Sequence, residues 1–212
     1  MTPKLAILGA SGHGKVVAEI AELNGYDVTF FDDAYKNKSN LEHWAVVGNT
    51  ENLIQKLNDF HGLAVAIGNN QIRKLKLDFF LRLGANTPTL IHPSATISRY
   101  ATIDVGTIIV ADAVINAFTK IGKGVIVNTN SSIGHDCVIH DYVHICPGAV
   151  IAGGCKICEG TWLGVGSSVR QQIEVGKMTT IGAGSTVLKN IPDNVTAFGS
   201  PCVVQYINEQ NI

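Results

Sequence analysis

Two hydrophobic periods divide the chain, and they change over near residue 90. In the first part, short apolar runs alternate with stretches that repeat every three to four residues. Lys4–Leu8 reads as a strand that breaks into Gly9-Ala10-Ser11-Gly12-His13-Gly14. Val16, Val17, Ile20 and Leu23 then mark the apolar face of a helix from Lys15 to about Asn24, ended by Gly25. Val28–Phe31 predicts a second strand that closes on Asp32-Asp33, and Ala45–Val47 a third. A helix is expected from about Thr50, the candidate cap, to Asp59. A fourth strand follows over Leu63–Ile67, ending at Gly68-Asn69-Asn70, and then a basic amphipathic helix from Gln71 to Leu83. Strands alternating with helices at this spacing predict a small parallel sheet of nucleotide-binding type.

From Ile91 the period becomes six. Every sixth residue is aliphatic, from Ile91, Ile97 and Ile103 through Ile133, Ile139 and Ile145 to Ile181 and Val187. The run comprises 17 hexads over 102 residues, Ile91–Pro192, with no insertion. The fifth position of each hexad is nearly always small, as in Ala95, Ala113, Ser131, Cys137 and Ser185. Hexapeptide repeats specify a parallel β-helix in which three hexads form one triangular coil. Residues 18 apart therefore stack, and about 5.7 coils are expected at the ~4.8 Å spacing of neighbouring strands.

Composition sharpens this division. Charged residues make up 16% of the 212, below the ~25% usual for soluble domains, whereas Gly reaches 22. A formal net charge of −1 argues against a protein that binds nucleic acid by neutralising phosphates. No apolar run approaches the ~20 residues of a membrane-spanning helix, and MTPKLAILGASGHG does not read as a signal peptide. The expectation is a soluble, cytoplasmic protein. The five cysteines are an odd number without a secretory context and predict reduced thiols. Cys155 and Cys158 have redox or zinc half-site spacing, but no second pair completes them. They read as packing residues.

The hexads, preceded by GASGHG, FFDD and AIGNN and containing NTNSSIGHDCVI, resemble the left-handed β-helix acyltransferases. Specifically, the chain resembles the bacterial nucleotide-amino-sugar acetyltransferases, the PglD-like enzymes with the NeuD-like sialic-acid O-acetyltransferases as relatives. The resemblance covers essentially the whole chain. It implies a Rossmann-like nucleotide-sugar-binding domain over residues 1–88 and a left-handed β-helix that binds acetyl-CoA over 89–212. A homotrimer with its sites between subunits is also implied.

Acetyl transfer from a thioester requires a base, donors for the oxyanion, and positioning of both substrates. His135 occupies the third position of its hexad, outside the inward first and fifth positions, and is followed by Asp136. Histidine suits a base because it titrates near neutrality. By resemblance His135 is the catalytic base and Asp136 its acidic neighbour, where a family member carries glutamate. One coil beyond His135 stands Gly153, which either relieves a tight corner or lets a thioester reach a backbone N–H. The resemblance favours the second and gives His144 a contact with acetyl-CoA, reached from a neighbouring subunit. Asn128 matches a family asparagine that contacts the substrates. Gly164-Val165 and Gly182-Ala183 are either ordinary repeat positions or a groove for the pantetheine arm. Phe198-Gly199-Ser200-Pro201 resembles the family's terminal motif. His135 and His140 have spacing for two zinc ligands, but no histidine stacks on either, so no metal is expected.

In the first part, GASGHG lies between a strand and a helix, where small residues and a helix N-terminus favour phosphate. It departs from the G-x-G-x-x-G dinucleotide fingerprint. By resemblance this pocket takes a UDP-sugar, with Gly12 and His13 near the diphosphate or sugar. Asp32 and Asp33 would lie near the uridine, with Gly68 and Asn69 closing the pocket. The resulting expectation is acetyl-CoA-dependent N-acetylation of a nucleotide-linked 4-amino-4,6-dideoxyhexose, UDP first and dTDP or GDP next, for bacterial surface glycans. The alternative is O-acetylation of sialic acid.

Overall fold

The structure is a computed structural model that describes residues 2–37 and 39–208. The chain divides into two compact units, residues 1–93 and 94–212.

The first unit is built on a three-stranded parallel sheet in the order β2-β1-β5. These strands are β1 (Lys4–Leu8), β2 (Asp27–Phe31) and β5 (Gly62–Val65). Between β2 and β5 lies a short antiparallel pair, β3 (Asn40–Leu41) and β4 (Trp44–Ala45). Parallel strands covered on both sides read as continuous apolar runs, and Leu5, Ala6, Ile7 and Leu8 are all buried. Ala6 and Leu8 join Phe31, Leu63, Leu53 and Phe80 in one core cluster. Helix α1 (Gly12–Leu23) packs on β1 and β2, α2 (Thr50–Gln55) on β2, and α3 (Asn70–Arg82) on β5.

Three expectations change here. Helix α1 begins at Gly12 rather than Lys15, so Gly12, His13 and Gly14 form its first turn, with Ser11 in the N-cap position. Packing overrides the poor helix propensity of two glycines, because any side chain at Gly14 would place its Cβ 2.4 Å from the Gly9 carbonyl oxygen. The cap of α2 is Asn49, not Thr50: its side chain accepts from the Asn52 N–H at 3.0 Å, and the Asn52 side chain accepts from the Asn49 N–H at 3.1 Å. The stretch Ala45–Val47 does not add a full strand to the sheet; only a single bridge joins Val46 to Phe30.

All but the start of the first hexad lies in the second unit. Two-residue strands recur every six residues from Leu90–Ile91 to Thr186–Val187, 17 in all, and the stacking interval is 18. Val114 pairs with Ser132 and Ile115 with Ile133 in parallel register; Ser132 pairs in turn with Val150, and Val150 with Ser168. The aliphatic first position and the small fifth position both point inward: Ile133, Ile145 and Leu163 are fully buried, as are Thr119, Ser131 and Cys137. From Gly106 to Gly184 the fourth position forms the corner in the left-handed backbone region. Positive φ recurs every six residues from Gly106 to Gly184, and seven of these 14 positions carry a side chain: Asp112, Phe118, Asn130, Asp136, Tyr142, Gln172 and Met178. Each costs roughly 1–2 kcal/mol relative to Gly, so the corner conformation is imposed by the coil and not by local preference. Val195–Phe198 extends one face past the last hexad, and Val203–Ile207 folds back against it.

Candidate active site

His135 and Asp136 lie together at one corner of the second unit. His135 Nδ1 is 2.7 Å from Asp136 Oδ2, so the shorter aspartate reaches the ring without help from a longer side chain. A carboxylate can only accept, which assigns the proton to Nδ1 and leaves the Nε2 lone pair facing away from Asp136. Both side chains are well exposed, 70% and 61%. An exposed pair of this kind adds about 0–1 kcal/mol to stability, so what it fixes is the direction of the ring.

The ring lies over Gly153, one coil on. A Cβ built at Gly153 would come 2.6 Å from His135 Nε2 and 2.7 Å from Cε1. Glycine is therefore required there by the imidazole itself. Coil stacking joins the two corners: Gly154 N–H donates to His135 O at 2.8 Å, and Gln172 N–H donates to Gly153 O at 3.0 Å. At some other corners the third-position N–H meets a side-chain acceptor. Lys123 N–H donates to Asp141 Oδ1, Thr129 N–H to Asn128 Oδ1 and Lys177 N–H to Asp193 Oδ1. Among the described residues no acceptor meets the Gly153 N–H.

Asn128 and His144 also meet. Asn128 Nδ2 is 3.2 Å from His144 Nε2, and the His144 ring packs on Trp162 at 4.2 Å between centroids. His144 is buried and sits on a strand face, whereas His135 sits on a corner. Gly164 and Gly182 both have packing reasons. A Cβ at Gly164 would lie 2.6 Å from Ala183 N, and one at Gly182 would lie 2.7 Å from Phe198 Cβ. Val165 and Ala183 are exposed and stack on each other, but along a different edge of the coil from His135 and Gly153. Among the described residues, no three His, Cys, Asp or Glu side chains gather as a metal-ligating group. No helix there is long and apolar enough to cross a membrane.

In the first unit, a cleft of about 220 Å³ opens at the C-terminal ends of β1, β2 and β5, lined by Gly9, Ser11, Asp32, Asp33, Gly68 and Lys76 among others. Ligands of open parallel sheets bind at this end. Asp32 braces the cleft: its Oδ2 accepts from Ala10 N–H at 2.7 Å and its Oδ1 from Ala34 N–H at 2.8 Å. Asp33 accepts from Thr50 N–H at 2.9 Å and from Lys76 Nζ at 3.0 Å. Partial burial raises the Asp33 pKa, but the bonds from Thr50 and Lys76 and the Lys76 charge outweigh it and hold the carboxyl below its usual range. Gly12 and Gly68 differ from Gly9 and Gly14, because a Cβ at either would meet only open space. Packing does not explain their small size, and a ligand approaching the backbone would. Asn69 caps α3, its Oδ1 accepting from Ile72 N–H at 3.0 Å.

The comparisons with known proteins agree on where this architecture belongs. Residues 4–78 match the PglD N-terminal domain family, and residues 118–153 match the bacterial transferase hexapeptide repeat. The acetyltransferase domain of PglB from Neisseria gonorrhoeae, solved with acetyl coenzyme A, is 40% identical at a TM-score of 0.92, covering 97% of this chain and 100% of that one. The chain belongs to the PglD-like acetyltransferases. A variant of perosamine N-acetyltransferase from Caulobacter crescentus, solved with CoA and GDP-perosamine, is 31% identical at a TM-score of 0.92, over 96% of this chain and 97% of that one. Among curated relatives, the UDP-N-acetylbacillosamine N-acetyltransferase of Bacillus subtilis is 38% identical over 117 residues, half of either protein (50% and 51%). The galactoside O-acetyltransferase of Lactococcus lactis is 57% identical over 44 residues, 21% of each. The chain thus spans about half, or less, of the curated relatives it matches.

Two basic residues of this PglD-like chain escaped the sequence reading, which saw α3 only as a basic amphipathic helix. Lys76 reaches the cleft, and Arg73 is buried beneath it. Arg73 donates to Ile67 O at 3.0 Å, Gly68 O at 2.9 Å and Asn70 Oδ1 at 2.8 Å, so it holds the Gly68 turn in place. Their signal is a cation at the fourth and seventh positions of α3, just after the Gly68-Asn69 turn. Arg73 also acts on His13. Burial, reinforced by the Arg73 charge, pushes the His13 pKa down to about 4, so its ring is neutral at pH 7. Below the ordinary value of 6.5 the unfolded chain takes up a proton that the folded chain refuses. The stability held above pH 6.5 is therefore lost progressively toward pH 4. Between pH 7.5 and 5 the loss from this one residue should be about 2 kcal/mol. Urea unfolding of wild type and His13→Asn at both pH values checks this. The variant should lose correspondingly less stability than wild type across that interval.

Proposed function

We propose that this chain is an acetyl-CoA-dependent N-acetyltransferase acting on the 4-amino group of a nucleotide-linked 4-amino-4,6-dideoxyhexose, in the cytoplasm, for bacterial surface glycans. The single observation that carries the reading is the His135 imidazole, held by Asp136 and laid over Gly153 with Nε2 unencumbered. Residues 1–88 hold the nucleotide sugar, with Gly12, His13, Asp32, Asp33, Gly68 and Asn69 around it. Residues 89–212 hold acetyl-CoA. His135 Nε2 accepts a proton as the neutral amine attacks the thioester carbonyl, and Asp136 supports the imidazolium that results. The Gly153 N–H stabilises the tetrahedral oxyanion, and collapse expels CoA as the thiol. Asn128 orients the substrates.

His144, Gly164, Val165, Gly182 and Ala183 contact acetyl-CoA from a second subunit of a homotrimer. That arrangement is supported by their position on faces and edges other than the His135 corner. A neighbouring subunit would also screen the exposed His135–Asp136 pair from water. UDP is our first choice of nucleotide, because the Bacillus subtilis relative is a UDP-N-acetylbacillosamine enzyme. The Caulobacter crescentus neighbour with GDP-perosamine makes GDP the principal alternative, ahead of dTDP.

Thiol release from acetyl-CoA, measured against UDP-, dTDP- and GDP-linked 4-amino sugars, sialic acid and CMP-sialic acid, tests this. The expected result is turnover of a UDP-linked 4-amino sugar with kcat/KM at least tenfold above the others. Activity confined to the sialic acids would overturn the N-acetyl assignment and favour O-acetylation.

A further inference from the structure

Inside the coil, the small fifth position of the hexad performs a second task. At five of these positions a hydroxyl or thiol lies within hydrogen-bond distance of a carbonyl of the next coil. Thr107 Oγ1 donates to Gly122 O at 2.8 Å, Thr119 Oγ1 to Gly134 O at 2.6 Å and Thr161 Oγ1 to Gly176 O at 2.6 Å. Cys137 Sγ lies 3.2 Å from Ala152 O and Cys155 Sγ 3.0 Å from Arg170 O. Each acceptor belongs to the second hexad position. It is the carbonyl half of the peptide whose N–H projects from the third position, at the corner.

Cys137 serves the corner where the chemistry is placed. Its acceptor, Ala152 O, shares a peptide with the Gly153 N–H. The same thiol is 3.6 Å from His135 O, so it lies between the backbones of both corners, nearer to Ala152 O. That corner has most need of a restraint. Gly153 and Gly154 follow one another there, Gly154 at φ +69°, and two glycines leave the peptide plane its widest freedom. Cys137 is fully buried. The neighbouring Cys155 thiol and burial both raise its pKa, so the Cys137 thiol stays protonated.

We propose that Cys137 is a positioning residue for acetyl transfer, its thiol fixing and polarising the Ala152–Gly153 peptide so that the Gly153 N–H meets the developing oxyanion. A hydrogen bond received by an amide oxygen strengthens the N–H of the same unit, and a fixed donor costs no reorganisation at the transition state. The inference rests on the acetyl-transfer reading above and adds a residue to it.

Three variants test it, each of a kind the coil already accepts. Val125 is fully buried at another fifth position, so Cys137→Val removes the donor without opening the core. Cys137→Thr restores a donor of the type seen at Thr119. Thr161→Val removes an equivalent fifth-position donor, the one to Gly176 O, at a corner without His135 or Gly153. The expected result for Cys137→Val is a fall in kcat of about tenfold, with both KM values within twofold of wild type. Cys137→Thr should return kcat to at least half of wild type, and Thr161→Val should leave it within twofold. In 15N-glycine-labelled protein, the Gly153 amide proton should move upfield in Cys137→Val and return in Cys137→Thr. An unchanged kcat in Cys137→Val, an equal loss in Thr161→Val, no rescue by threonine, or an unmoved Gly153 resonance would each overturn the proposal. No turnover by wild type on any acceptor of the panel would instead overturn the acetyl-transfer reading, and this inference with it.

Discussion

His135→Ala is expected to lower kcat/KM by at least ~10²-fold, since a positioned general base contributes ~10²–10⁴. Thermal unfolding should be almost unchanged. The side chain is 70% exposed and its one polar partner, Asp136, is 61% exposed. Nothing buried is left unsatisfied when the ring is removed. Steady-state kinetics and a melting curve check both halves of the expectation. A variant retaining more than about a tenth of wild-type kcat/KM would remove His135 from the role of base.

The second large effect belongs to Gly153→Ala, a change of one methyl group. Its Cβ would sit 2.6 Å from His135 Nε2, closer than real side chains approach, while the colliding atom is the free end of an exposed ring. The ring swings aside at little cost to the fold, and the base loses its place over the donor. We expect kcat/KM to fall about 10²-fold, in the range of a displaced catalytic group, with the melting temperature within a few degrees. Because the methyl acts through the imidazole, the loss should be far from additive. In the His135→Ala background the same substitution should cost less than about threefold, and a double-mutant cycle measures the coupling directly. Additive losses would show that Gly153 seats the thioester instead of the base.

That the sequence located this pair at all follows from the rigidity of the repeat. With no insertion in 17 hexads, an offset of 18 becomes a distance of one coil, and His135 and Gly153 are found by counting. The same arithmetic did not find the Asn128–His144 contact, because those residues are 16 apart and meet diagonally across neighbouring coils. The repeat marks Cys137 only as a small residue at an inward fifth position, and hexad counting does not show which way such a side chain turns.

The first unit was less legible. Its strands and helices follow from apolar runs and 3–4 spacing, yet the start of α1 was misplaced by three residues. Local propensity disfavours Gly-His-Gly in a helix, and the tertiary contact of Gly14 with Gly9 decides the matter. Thr50 and Asn49 are both cap-forming residue types, and the reciprocal bond with Asn52 makes Asn49 the cap. The functions of Arg73 and Lys76 depend on where α3 packs, which composition does not specify.

The 18-residue register also restricts how such a chain can change length. Gain or loss of six residues anywhere between Gly106 and Gly184 keeps every first position inward, but it turns all later residues onto the next face of the coil. His135 and Gly153 would then no longer share an edge if the change fell between them. Gain or loss of 18 keeps every residue on its edge and moves later ones by a single ~4.8 Å step. Length variation that preserves chemistry should therefore arrive in whole coils outside the segment 135–153, while within that segment the separation of base and donor admits no increment at all.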